Sequence, residues 1–170
     1  MVDGRARHRP PGRVPGRAAI EVRVCSPEDA ATVHTLTQAA FETYRGVLDP
    51  PSGAMRETVD SVRRDLETHG GAIAWIDGEA VGCLRFEVEP DHLHVRRVAV
   101  LPERQRRGIG TTLMSWSHGH ALSLGLHEVR LGVRRQLPGN QAFYKRLGYR
   151  VIARHHHPGQ RRVTWYEMTL

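Results

Sequence analysis

The sequence contains little of what metal sites, disulfide frameworks and membrane spans require. It has two cysteines, Cys25 and Cys83, and neither belongs to a Cys-x-x-Cys or Cys/His spacing typical of metal sites. We therefore expect no metal and interpret both cysteines as reduced and structural. The opening segment has no apolar run as long as a signal peptide or a membrane span requires, and its Pro and Gly residues would break a targeting helix. A soluble, cytoplasmic protein with no membrane partner is expected.

The chain is long enough for one domain and carries an excess of positive charge. Its 170 residues fall in the usual range for a single domain with its own core. Residues 1–19, rich in Arg, Pro and Gly, are predicted to be a disordered basic tail, followed by a single domain over 20–170. The formal net charge of +7 favours polyanionic partners, either a phosphate-bearing small molecule or nucleic acid.

The pattern of apolar residues predicts the element order β-α-α-β-β-β-α-β-α-β-β, with no internal repeat. Asp77-Gly78 is typical of a tight hairpin turn, and Pro102 ends the strand before it. Strands that alternate with helices around a meander predict an α/β fold, a mixed sheet with helices on both faces. The predicted strands cover 20–24, 72–76, 80–88, 92–100, 128–133, 149–153 and 163–169, and the predicted helices cover 26–44, 54–68, 111–124 and 141–147.

The segment RRVAVLPERQRRGIGTTLM carries the clearest chemical signal. A strand leads into a loop with Gly108 and Gly110, and the loop opens directly into the helix predicted from Thr111. Glycines let the backbone approach a phosphate closely, and the first turn of a helix presents free N–H groups and the positive end of its dipole. The arginines of the loop add positive charge. A pyrophosphate is expected to fit here.

This string resembles the coenzyme A-binding motif of the GNAT superfamily, written Q/R-x-x-G-x-G/A after a strand of alternating apolar residues. Val98-x-Val100-x-Pro102 and then QRRGIG, residues 105–110, match it, and the resemblance covers 20–170. It implies a mostly antiparallel central sheet of about seven strands. It also implies an acetyl-CoA-dependent N-acetyltransferase with acetyl-CoA as cosubstrate.

The resemblance also implies which residues contact the cosubstrate. The strand before the loop and the strand after the following helix splay apart in this family, and the pantetheine arm lies between them. Backbone groups of the first strand bind that arm, and the loop amides cradle the pyrophosphate. The implied set is Val98, Ala99, Val100, Gln105, Arg106, Arg107, Gly108, Ile109, Gly110, Thr111, Asn140 and Tyr144.

A second segment, GNQAFYKRLGYRV, is similar to the later motif of the family. Tyr144 stands where the family has a tyrosine near the thioester sulfur, so it is our candidate general acid; the alternative is a packing role beside Phe143. The usual family asparagine position is held here by Leu137. Asn140 is therefore predicted either to contact the cosubstrate or to cap the short helix.

A general base is needed because an alkyl amine is protonated at neutral pH. Family members with a carboxylate base carry it where this sequence has His94, and an imidazole suits that role near pH 7. Strand alternation predicts His92, His94 and Arg96 on one face, unless a bulge changes the parity. Glu87, Glu89 and a water relay are the alternatives to His94.

We expect direct transfer through a ternary complex, because apolar neighbours make Cys83 a poor nucleophile. The run from His155 to His157 is interpreted as a solvated loop.

The acceptor is expected to be a small-molecule amine, chosen largely by residues 41–55 and the closing hairpin. The alternatives are an amine on a protein or RNA, or a non-catalytic acyl-CoA-binding regulator. Nucleic acid is the less favoured partner, and a homodimer stays open.

Overall fold

The computed structural model describes residues 18–170. Most of the tail predicted over 1–19 therefore lies outside the described residues. The predicted order of seven strands and four helices is confirmed, with short 3₁₀ turns at Pro27–Asp29, Gly53–Arg56 and Pro102–Arg104. The strands are β1 Glu21–Cys25, β2 Gly70–Ile76, β3 Glu79–Val88, β4 Leu93–Val100, β5 Val129–Arg134, β6 Arg150–His155 and β7 Trp165–Thr169; the helices are α1 Ala30–Glu42, α2 Val59–Thr68, α3 Ile109–Ser123 and α4 Pro138–Arg146.

The second helix begins later than predicted. It starts at Val59 because Thr58 forms a capping box with Ser61: the Thr58 hydroxyl accepts from the Ser61 N–H at 3.1 Å, and the Ser61 hydroxyl accepts from the Thr58 N–H at 2.8 Å. The strand β2 begins two residues earlier than predicted, at Gly70, and includes Gly71. A Cβ there would lie 2.7 Å from the Cys25 Sγ, so the strand needs glycine for close packing.

The seven strands form one sheet in the order β1-β2-β3-β4-β5-β7-β6. Every neighbouring pair is antiparallel except β4 and β5, which are parallel. Their ladder ends at the pair Val95↔Leu131, although β4 continues to Val100 and β5 to Arg134. The two strands therefore separate over their last residues and open a gap in the middle of the sheet.

Helices cover both faces of the sheet, and each face has its own core. On one face α1 and α2 pack through Val33 and Val62 against sheet residues that include Ile73 and Cys83. On the other face α3 and α4 pack against sheet residues such as Leu84, Leu93 and Met168. Alternate residues of β3 thus enter opposite cores, as the pleat of a strand requires. None of the described helices is long and apolar enough to cross a membrane.

A bulge in β4 changes its alternation. Arg97 has a positive φ of 55°, and the register with β3 shifts between Cys83 and Arg85. Before the bulge Val95 enters the α3 core, whereas after it Ala99 enters the core of α1 and α2. The predicted alternation holds up to Arg96, and the bulge reverses it just where β4 leaves β5.

Candidate active site

The glycine loop ends in an open helix N-terminus. Gly108 occupies the N-cap position of α3 with a φ of 86°, a conformation that favours glycine. The helix therefore starts at Ile109, two residues before the predicted Thr111. Its first intrahelical bond runs from the Thr112 N–H to the Gly108 carbonyl at 2.9 Å. The N–H groups of residues 109–111 precede that bond and are available to an anion.

A first cavity of about 670 Å³ lies at this helix end, between β4 and α4. Ten residues of the predicted cosubstrate set line it: Val98, Val100, Gln105, Arg106, Gly108, Ile109, Gly110, Thr111, Asn140 and Tyr144. Ala99 and Arg107 do not. The bulge turns Ala99 into the core of α1 and α2, and Arg107 is exposed outside the cavity. A Cβ on Gly110 would meet the Phe143 ring at 3.3 Å, so this glycine lets α3 approach α4 closely.

A second cavity of about 610 Å³ continues on the other side of the gap between β4 and β5. It is lined by the segment after α1, by the ends of both strands and by the closing hairpin, including Leu48, His94, Arg134 and Trp165. Five residues line both cavities: Phe41, Tyr44, Val98, Asn140 and Tyr144. The two cavities are therefore two halves of one groove, which we call, after the ligands that the sequence leads us to expect, the cosubstrate half and the acceptor half.

Tyr144 stands at the boundary of the two halves. Its side chain packs against Phe143 and Tyr149, with ring centroids 5.1 Å and 5.8 Å away, so the packing interpretation accounts for part of its surroundings. Among the described residues, however, none hydrogen-bonds its hydroxyl. Burial, together with the neighbouring Tyr44, holds the pKa of Tyr144 above its usual range. The phenol is protonated at neutral pH and has a proton to donate into the groove.

Asn140 is not a helix cap. The N-cap position of α4 belongs to Leu137, and Asn140 lies in the first turn with its N–H donated to the Leu137 carbonyl at 3.1 Å. The capping interpretation is therefore wrong. The Asn140 side-chain amide donates to the Tyr44 hydroxyl at 3.0 Å, which ties α4 to the segment just after α1 across the groove. Both residues line both halves.

His94 lines the acceptor half, the same half that Tyr144 reaches. Burial lowers the pKa of His94, as do the neighbouring His92 and Arg96, while Glu167 and Glu87 partly oppose this effect. The imidazole is therefore neutral near pH 7 and can accept a proton.

The alternative bases lie elsewhere. Glu87 stands opposite His94 in the β3–β4 ladder, but its carboxylate contacts His69 Nε2 at 3.2 Å. Glu89 lies in the turn after β3, where its N–H donates to the His92 carbonyl at 2.9 Å. Among the described residues, the acceptor half is lined by His94 and not by either carboxylate.

Comparison of the sequence with protein-family models identifies the family of this chain. The model described as "Acetyltransferase (GNAT) family" matches residues 33–149, which is more than half of the chain. The chain belongs to the GNAT acetyltransferase family. This agrees with the resemblance found in the glycine loop, which lies inside the matched range, and supports acyltransferase activity and coenzyme A binding.

Solved structures of this family share the fold. A PaiA N-acetyltransferase from Thermoplasma acidophilum, solved in complex with coenzyme A, has a TM-score of 0.74 and 22% identity over 89% of this chain and 98% of its own. The ribosomal-protein-S18-alanine N-acetyltransferase from Escherichia coli has a TM-score of 0.71 and 18% identity over 89% of this chain and 93% of its own. At these identities the likeness establishes the GNAT fold alone.

One feature of this GNAT domain was missed from the sequence: a buried ion network beside the acceptor half. Arg85, 2% exposed in the middle of β3, binds the Glu57 carboxylate at 2.6 Å and the Asp65 carboxylate at 2.7 Å. The same carboxylates bind Arg97 at 2.9 Å and Arg96 at 2.5 Å respectively. A lone arginine in an apolar strand was the available signal, since a buried charge needs a partner.

The interpretation of residues 155–157 as a solvated loop is wrong for two of the three histidines. His155 ends β6 and stacks on Trp165, with ring centroids 4.0 Å apart. His157 accepts or donates a hydrogen bond with the Thr164 hydroxyl at 2.6 Å and lines the acceptor half. Of the three, only His156 is exposed, whereas His155 and His157 are half-buried. Within residues 18–170 there is no group of three side chains suited to hold a metal ion.

Both cysteines are free and buried. Cys83 lies in the core of α1 and α2 and lines neither half of the groove. Burial raises the pKa of its thiol to about 11. The thiol is therefore neutral at pH 7 and out of reach of a bound substrate, as the sequence led us to expect.

Proposed function

We propose that this GNAT protein is an acetyl-CoA-dependent N-acetyltransferase that transfers the acetyl group directly to the primary amine of a small molecule. The observation that carries the proposal is the groove itself. Two cavities meet at one wall, with an anion-binding helix end in one half and a neutral imidazole in the other. A reaction between two substrates needs both to be held at once with their reacting atoms at a shared boundary.

The cosubstrate half fits coenzyme A in shape and charge. The free N–H groups at the start of α3 and the side chain of Arg106 suit a pyrophosphate. The gap between β4 and β5 suits an extended pantetheine arm, because the backbone of β4 beyond Val95 is no longer paired with β5. We therefore assign acetyl-CoA to this half as cosubstrate.

Two side chains carry the proton transfers in this proposal. His94 accepts a proton from the acceptor amine, directly or through a water, and the amine nitrogen then bonds to the acetyl carbon. Tyr144 donates its proton to the sulfur as the carbon–sulfur bond breaks. The lowered pKa of His94 and the raised pKa of Tyr144 support these opposite roles, since each group rests in the protonation state that its role needs.

Direct transfer is favoured over an acyl-enzyme. An acyl-enzyme needs an activated nucleophile beside the acetyl group, and the thiol of Cys83 is both buried and protonated. The acceptor amine itself is therefore the attacking nucleophile in our proposal.

The experiment is release of free thiol from acetyl-CoA across polyamines, aminoglycosides, amino acids and peptides, with the Tyr144→Phe enzyme alongside. Turnover of one class that the variant loses supports the proposal. If every small amine is inactive while acetyl-CoA still binds, the proposal fails. A protein or RNA acceptor, or a regulatory acyl-CoA-binding role, would then account better for the groove.

A further inference from the structure

The acceptor half is strongly basic, and the proposed reaction does not explain why. Four arginines and two histidines line it, and no Asp or Glu among residues 18–170 does. An acceptor amine is itself a cation before it loses its proton, so a basic lining repels it unless the acceptor offers something in return. The basic residues of this lining are Arg56, Arg96, Arg97, Arg134, His94 and His157.

Carboxylates next to the cavity neutralise part of this positive charge, but not all of it. Arg96 and Arg97 bind the carboxylates of Asp65 and Glu57. Those two carboxylates also neutralise the buried Arg85, so two negative charges serve three guanidinium groups. The network therefore leaves about one positive charge in excess beside the cavity.

Arg134, at the end of β5, forms no ion pair with a described carboxylate, and the Asp49 carboxylate acts on it only through a longer-range electrostatic interaction. Its Nη2 donates to the Pro50 carbonyl at 2.7 Å, and its buried Nε has no hydrogen-bond partner. A half-buried guanidinium held by one carbonyl is far from satisfied, because a guanidinium has five N–H donors. Arg134 thus retains both charge and donors for a ligand in the cavity.

Arg56 is the second available guanidinium. It ends the 3₁₀ turn Gly53–Arg56, lines the acceptor half and is exposed. It forms no hydrogen bond or ion pair with any described residue. The carboxylates nearest to His94, Glu87 and Glu167, are turned to other histidines: Glu87 binds His69 at 3.2 Å and Glu167 binds His155 at 3.3 Å. Neither balances Arg56 or Arg134.

We infer that the acceptor is an amine that also carries an anionic group, a carboxylate or a phosphate, which Arg134 and Arg56 bind. This inference rests on the proposed function for the identity of the reacting group. Arginine suits both anions because its fork of N–H donors can bind two oxygens at once. The attraction between this anion and the arginines offsets the repulsion between the protonated amine and the basic lining. Once the acceptor is bound, the positive charge around its amine favours the neutral form, which is the form that attacks. Polycationic amines have no anionic group to offset the repulsion, so the acceptor half should exclude them.

The first experiment compares acceptors that differ only in the anion. Thiol release is measured for L-amino acids against their carboxamides, for O-phosphoethanolamine against ethanolamine, and for spermidine. We expect kcat/KM for the anionic member of at least one pair to exceed that of its neutral partner by about tenfold or more, the usual worth of a charge-assisted hydrogen bond. The amino-acid pairs and the phosphate pair separate the two sources of the anion.

Arginine variants then locate the preference. Arg134→Gln and Arg56→Gln should each raise KM for the anionic acceptor about tenfold while changing KM for acetyl-CoA little. Arg150→Gln is the matched control, because Arg150 is exposed on the edge strand β6 and lines neither half. Since Arg56 is exposed, its variant should fold even if loss of the Arg134–Pro50 contact disturbs the other.

A binding measurement keeps this inference separate from the proposed function. With coenzyme A present, calorimetry compares N-acetyl-amino acids with their carboxamides, N-acetyl-O-phosphoethanolamine with N-acetylethanolamine, and the two variants with wild type. About tenfold tighter binding of the anionic member of a pair, lost in the variants, supports the anion site even if no amine is turned over. Equal binding within both pairs, or a preference for spermidine in turnover, would overturn the inference while leaving acetyl transfer intact.

Discussion

The two halves of the groove are built in different ways. The cosubstrate half is formed mainly by one continuous stretch, residues 98–111, together with α4, and it offers backbone N–H groups at the start of α3. The acceptor half collects side chains from the segment after α1, from β4 and β5 and from the closing hairpin. A backbone site depends on local geometry, whereas a side-chain site depends on how distant segments pack.

This difference determines how each half should respond to substitution. The cosubstrate half should be sensitive to the shape of its glycines and tolerant of changes in its side chains. The acceptor half should be sensitive to charge and titration. Tyr144 belongs to both halves and should affect chemistry without affecting binding in either.

The largest effect is expected at that shared boundary. Tyr144→Phe should lower kcat by about 10²–10⁴-fold, the usual contribution of a general acid. Affinity for acetyl-CoA and the melting temperature should hardly change, because no described residue hydrogen-bonds the hydroxyl that is lost.

Tyr149→Phe is the matched control for Tyr144→Phe. Its ring lies 5.8 Å from that of Tyr144, but its hydroxyl is bonded to His118 at 2.8 Å. This variant should keep its kcat and lose about 1 kcal/mol of stability. Equal kcat values for the two variants would show that Tyr144 has a packing role and is not the general acid.

The next largest effect is expected within the cosubstrate half alone. Gly110→Asp should weaken acetyl-CoA binding about 100-fold, because its Cβ would crowd Phe143 and its carboxylate would repel a pyrophosphate at the helix end. Calorimetry of acetyl-CoA binding measures it.

The same substitution elsewhere in α3 provides the comparison. A Cβ on Gly119 would meet nothing within 4 Å, so Gly119→Asp should leave the affinity unchanged. Ile109→Val, which alters a side chain and no amide, should also have little effect on binding. Normal acetyl-CoA affinity in the Gly110→Asp protein would show that the pyrophosphate does not bind at the start of α3.

A smaller effect is expected in the acceptor half. His94→Gln should lower kcat/KM about tenfold to 100-fold at pH 7. In wild type the activity should fall only below the usual histidine pKa of about 6.5, because the pKa of His94 is lowered. The variant should lose this acid limb of the pH–rate profile, and an unchanged profile would show that His94 is not the base.

The smallest effect concerns stability. Burial lowers the pKa of His94, His118, His120 and His157, so the unfolded chain binds protons first as the pH falls. The free energy of unfolding should therefore decrease from about pH 6.5 downward, by a few tenths of a kcal/mol per histidine once solvent screening is allowed for. Urea unfolding at pH 7.5 and pH 5.5 measures the change, and His94→Gln should reduce the slope.

The two halves also differ in how far the sequence predicts them. The element order and the loop of residues 105–111 followed from local patterns, because glycines, turns and apolar periodicity act over a few residues. Ten of the twelve predicted cosubstrate residues line that half. Ala99 does not, because the bulge at Arg97 reverses the strand's parity, and periodicity alone does not locate a bulge.

The acceptor half was largely unpredicted for a physical reason. Arg85 is 28 residues from Glu57 and 20 from Asp65, and it meets them only when α2 packs on the sheet. His157 reaches the cavity because the closing hairpin folds back along β5. Such contacts follow from tertiary packing, which no short segment encodes.

In the proposed reaction both halves are filled at the same time, and the acetyl group passes directly between them at Tyr144. Initial velocities measured over a grid of acetyl-CoA and acceptor concentrations test this claim most directly. Direct transfer predicts double-reciprocal lines that intersect, as a ternary complex requires. Parallel lines, the pattern of an acyl-enzyme intermediate, would contradict it.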